Sequence, residues 1–154
     1  MYERSVPGYQ HTQKGPWFLL LYGFGLLMLV VGWLVREVPV VPVVLLVAGG
    51  IMLLLGACFQ HLTVADEGER LAIRFGPLPL FEMRVHFGDI EEVEVGRTTL
   101  LDGWGIHLSL KGGWVWNIWG RDCVVIRRKD GVLRIGTDDA GNLAAFLRTK
   151  MSNS

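Results

Sequence analysis

The sequence predicts an α+β membrane protein: an N-terminal two-helix transmembrane hairpin, then an antiparallel β-domain closed by a C-terminal α-helix. Three observations predict it. Two long uncharged apolar runs stand near the N-terminus. Short segments rich in β-branched and aromatic residues follow, divided by Gly, Pro and Asp. In the last stretch the apolar residues change to a helical period. The implied organisation is a cytoplasmic N-terminal tail at 1–16, the hairpin at 17–59 (about 17–35 and 38–59), the β-domain at 60–150 and a tail at 151–154.

From Trp17 to Val35, WFLLLYGFGLLMLVVGWLV has no ionisable residue. At about 1.5 Å per helical residue it nearly matches a hydrocarbon core of roughly 30 Å. It is longer than the apolar region of a secretory leader and a second run follows at once, so it reads as a span. After Arg36 and Glu37, Val38 to Phe59 is again uncharged and long enough to cross back. Pro39 and Pro42 fall near its start, where the first helical turn has no partner for the missing donor.

Arg4 and Lys14 precede the first span, Arg70 and Arg74 follow the second, and Glu37 offsets the one cation of the connecting turn. The positive-inside tendency then sets a multi-pass protein in the inner (cytoplasmic) membrane with both termini cytoplasmic. Gly25 and Gly32 are seven residues apart, as are Gly49 and Gly56, so each pair marks one helix face open to close approach. Packing of the two spans on each other is the favoured use. Neither span carries Asp, Glu, Lys, Arg or His, the residues that mark proton relays and ion paths, which argues against a channel or transporter acting alone.

Beyond Phe59 the segments LTVAD, RLAIRF, EMRVHF, EEVEV, GIHLSL, WVWNIW, CVVIRR and VLRIG read as strands. Leu71, Ile73 and Phe75 alternate with Arg70, Ala72 and Arg74, and Met83, Val85 and Phe87 with Glu82, Arg84 and His86. One face of each should be buried and the other wet. Lys129-Asp130-Gly131 supplies hairpin-turn chemistry. In TDDAGNLAAFLRTK, Thr137 or Asp138 can cap a helix with Leu143, Phe146 and Leu147 on its apolar stripe. Seven or so antiparallel strands and one covering helix result.

GWGI at Gly103 to Ile106, Gly120, the strand CVVIRRKDG and IGTDDAGNLAAFL at Ile135 to Leu147 together resemble small bacterial membrane proteins that carry a bacterial PH-like domain. The resemblance covers roughly residues 60–150. It implies a seven-stranded PH-like antiparallel β-barrel or sandwich closed by the C-terminal helix, without enzymatic activity and without a cofactor. Many eukaryotic PH domains grip inositol phosphates with basic residues in the loop joining their first two strands. Here the corresponding loop is Asp66-Glu67-Gly68-Glu69, whose carboxylates would repel a phosphate.

The one dense basic run, Arg127-Arg128-Lys129, is the candidate for a lipid-phosphate contact, although a solvated strand end or turn is the favoured reading of such a run. From Phe59 onward twelve Lys and Arg stand against thirteen Asp and Glu, so no basic footprint for nucleic acid exists. Catalytic constellations are weak: His11, His61, His86 and His107 are scattered, and Cys58 and Cys123 lack zinc-site spacing. No catalytic, metal or cofactor residue is assigned.

Four of six tryptophans crowd into residues 103–120. In WVWNIW, Trp114, Trp116 and Ile118 should share one strand face while Val115, Asn117 and Trp119 share the other, so the rings cannot all sit in one core. Trp104 between two glycines is expected to pack structurally, and Trp119 beside Asn117 to make an exposed contact. Trp104, Trp114, Trp116, Trp119 and Asn117 form the candidate interaction surface. The expected function is a non-enzymatic, membrane-anchored interaction and scaffolding module that binds protein, including further copies of itself as a homo-oligomer. The alternatives are a peripheral lipid-sensing module, with a specific lipid the less favoured partner, and an accessory subunit of a membrane transporter or enzyme.

Overall fold

The computed structural model describes residues 8–99 and 102–152. Its first element is a strand, β1 (Gln10–Lys14), which leads into two apolar helices, α1 (Trp17–Leu34) and α2 (Val41–Cys58). Strands β2 (His61–Asp66), β3 (Arg70–Gly76) and β4 (Glu82–His86) follow, then a short 3-10 turn at Phe87–Asp89. Five more strands come next: β5 (Ile90–Arg97), β6 (Gly105–Leu108), β7 (Trp114–Asn117), β8 (Asp122–Arg128) and β9 (Gly131–Gly136). Helix α3 (Ala140–Ser152) ends the described chain.

Each apolar helix has 18 residues, about 27 Å of axis, and could span a membrane. Only 11% and 17% of their residues are buried inside the protein, so the helices are not core elements of a folded domain. Their contact is made by the glycines the spacing marks. A Cβ on Gly25 would lie 2.8 Å from Leu53 Cδ2, one on Gly49 2.9 Å from the Gly25 carbonyl, and one on Gly56 2.7 Å from the Tyr22 ring. Gly32 meets Leu45 in the same way. All four face the other helix of the same hairpin.

The hairpin interrupts a sheet. β1 pairs antiparallel with β2, Lys14 opposite His61 and Gln10 opposite Ala65, so residues 15–60 form one long excursion between two neighbouring strands. Residues 10–14, expected to lie in a tail, are therefore an edge of the β-domain. QHTQK escaped notice because it has no apolar alternation: only Gln13 is buried, and its amide donates to the Trp119 carbonyl at 2.9 Å.

The strands make two sheets, ordered β1-β2-β3-β4 and β5-β8-β9-β7-β6. Two expectations need correction. The sheets do not close into a barrel, because the chain leaves the first at the 3-10 turn and starts β5 in the second. The strands number nine among the described residues rather than seven, and β7 runs parallel to β9, which the assumption of consecutive antiparallel pairing missed. Both inner faces supply the core, with Phe75, Ile73 and Leu62 meeting Trp116, Ile126 and Ile135. Helix α3 covers it with Leu143, Ala144 and Leu147. Arg148 fixes the helix on β5 by donating to the Val93 carbonyl at 3.0 Å. Tyr9 ties β1 to the other end of α3: its hydroxyl donates to Asp139 at 3.0 Å, its ring stacks on Phe146, and burial raises its pKa.

Candidate functional site

The tryptophans separate into three environments. Trp116 is core, 5.6 Å from the Phe75 ring. Trp114 is exposed opposite Leu108 on the strand pair β6–β7. Trp104 and Trp119 stack at 5.3 Å with planes 12° apart, and Trp17, the first residue of α1, packs on Trp104 at 4.6 Å. The two stacked residues stay 44% and 41% exposed, so Trp104 packs as expected but half-exposed rather than buried. Its flanking glycines adopt positive φ, 57° and 99°, and turn the indole out of the sheet onto the root of the helix.

Asn117 belongs to no exposed surface. It is fully buried, and its amide organises the corner that carries the rings. Nδ2 donates to the Gly120 carbonyl at 3.1 Å and toward the Gly103 carbonyl at 3.4 Å, while Oδ1 accepts from the Trp119 N–H at 3.2 Å. Gly15 completes the corner: a Cβ there would come within 2.9 Å of the Ile118 carbonyl, so the joint between β1 and α1 can press directly on the end of β7. On the other helix, Gln60 just past α2 donates to the Tyr22 hydroxyl at 3.0 Å. The helix roots and the tryptophan corner are thereby one braced junction.

The alternation expected in WVWNIW fails because both faces of β7 are covered: Val115 and Asn117 are as buried as Trp116 and Ile118. On this second face lies a polar cluster that no sequence motif announced. Buried Asp102 accepts from Ser109 Oγ at 2.6 Å, from Thr99 Oγ1 at 2.7 Å and from Thr99 N–H at 2.9 Å. The Ser109 hydroxyl, with the Thr99 donors and Arg134 beside it, holds the carboxyl down at about 2. Burial pushes the Cys123 thiol up to about 11, an unreactive state at neutral pH. Only Asp102-Gly103, an ordinary turn dipeptide, could have drawn attention to this knot.

The basic run is neutralised locally. Arg127 pairs with Glu92 at 2.9 Å, Arg128 with Asp130 at 3.2 Å and Lys129 with Asp89 at 3.6 Å. It also ends β8, about 20 Å along that strand from the residues that follow Trp119. The acidic loop at 66–69 joins β2 to β3, not the first two strands, and there Glu67 takes Arg74 and Arg84 while Asp66 takes Lys150. His86 and His107 fall on different sheets. No group of three or more His, Cys, Asp or Glu among the described residues could hold a metal ion.

The four sheet edges differ in chemistry. β1 carries Lys14, β4 carries Glu82 and Arg84, and β5 carries Glu91, Glu92, Glu94 and Arg97. β6, GIHL, has no Asp, Glu, Lys or Arg, and Leu108, Leu110 and Trp114 beside it are 64%, 81% and 44% exposed. A groove of about 260 Å³ runs from Ile106 and Trp114 to Leu80 and Phe81. Charge on an edge strand discourages pairing with another chain, and β6 lacks that protection. Compared with known proteins, the chain matches no family model and no curated protein.

Proposed function

We propose that this chain is a non-enzymatic, membrane-anchored interaction module: a two-span hairpin in the inner membrane, with its ends on the cytoplasmic side, holding a PH-like domain against that face. The hairpin's exposed apolar surface and the flanking cations support the membrane placement. Two stacked sheets with a covering helix support the PH-like reading. The braced junction supports a domain held at fixed height rather than on a loose tether, with tryptophan rings at head-group depth.

One observation carries the protein-binding role: β6 alone among the described edges has no Asp, Glu, Lys or Arg, and exposed Leu108, Leu110 and Trp114 form a rim there. The favoured occupant is a second copy of the chain, since two copies in one membrane present the same edge at the same height. Native mass spectrometry of the full-length protein extracted with its lipids tests this. The wild type should appear as a discrete multimer and Leu108→Glu with Leu110→Glu as a monomer of unchanged circular dichroism. A monomeric wild type would reject self-association, and a stoichiometric foreign subunit would support the accessory-subunit alternative in its place.

A further inference from the structure

An apolar opening lies where the hairpin meets the sheets. Trp17, Leu21, Leu55, Phe59, Trp104 and Ile118 line an open cleft of about 400 Å³. It falls within the usual range for small-ligand sites. No charged side chain lines it.

Two features point to the occupant. Leu21 and Leu55 lie inside the spans, about one helical turn from the ends at Trp17 and Cys58, so the cleft starts at the helix roots and runs toward the hydrocarbon. A neighbouring apolar cleft of about 290 Å³ shares Trp17 and opens onto Leu19 and Leu20, which belong to the exposed apolar face of α1. The two clefts meet at Trp17, beside the surface the hairpin offers to a bilayer.

We propose that the cleft seats one acyl chain of a bilayer phospholipid, with the Trp104–Trp119 stack closing the side toward the sheet. This rests on the hairpin being membrane-inserted. Moving a chain from bilayer to cleft gains no transfer from water. Retention comes instead from dispersion contacts between the chain and the packed walls of the cleft. The site fills with whatever phospholipid is abundant and does not read the head group, consistent with the basic run being paired elsewhere.

The test uses the full-length chain. Membranes are washed with alkaline carbonate, the retained protein is solubilised and delipidated, and dioleoylphosphatidylethanolamine is titrated in under native mass spectrometry. Leu55→Trp and Leu21→Trp, on different helices, fill the cleft, and each counts only if its circular dichroism matches the wild type. The expected result is one bound lipid on the wild type and, in either variant, a bound fraction lower by about ten-fold or more. A protein that survives the wash but binds no lipid, or binds it equally in the filled variants, overturns the acyl-chain site and leaves the anchor standing. A protein released by the wash overturns both.

Discussion

Asn117→Ala tests whether the tryptophan corner is built by one buried amide. The substitution removes a donor to the Gly120 carbonyl at 3.1 Å and an acceptor for the Trp119 N–H at 3.2 Å. The 3.4 Å approach to Gly103 is too long to count fully. A buried polar group stripped of its partner costs about 1–3 kcal/mol. Gly120 and Trp119 are exposed enough for water to replace part of that, which sets each loss near the lower end. The small cavity left by the amide adds to it, so the expected destabilisation is about 2–3 kcal/mol, a substantial part of a typical 5–15 kcal/mol. Denaturant unfolding in detergent measures the stability, and near-ultraviolet circular dichroism reports the Trp104–Trp119 stack. Asn117→Asp keeps the acceptor but turns a carboxylate toward the Gly120 carbonyl, and should also lose the stack signal. A stability change below about 0.5 kcal/mol with an unaltered aromatic spectrum would show that the rings are placed by something else.

Further outcomes follow from the helix contact and the polar knot. Gly49→Leu should disrupt the hairpin by about 1–3 kcal/mol, because its Cβ starts 2.9 Å from the Gly25 carbonyl, whereas Gly50→Ala, with nothing within 4 Å, should leave thermal unfolding in detergent unchanged. Asp102 carries a pKa of about 2 against an ordinary 3.8, so its stabilisation is complete above about pH 4 and is lost as pH falls through 2. That component amounts to about 2 kcal/mol, and acid titration of Asp102→Asn should lack it.

The sequence by itself determined the two apolar helices, the glycines through which they meet and the terminal helix with Leu143 and Leu147 inward. Each of these is written in a local period or an unbroken composition, which one chain segment reveals without knowledge of its neighbours. Tertiary structure alone decided the rest. β1 is polar along its length and becomes a strand only because β2 offers it a ladder across the hairpin. Strand alternation puts Trp116 on the face of Trp114 and Asn117 on that of Trp119, yet Trp116 and Asn117 are buried because β7 is covered on both faces. The stack of Trp104 on Trp119, its contact with Trp17 and the cleft behind them join residues distant in the chain. Such proximity is set by which backbone groups pair and which surfaces exclude water, and it leaves no mark in the spacing of any single segment.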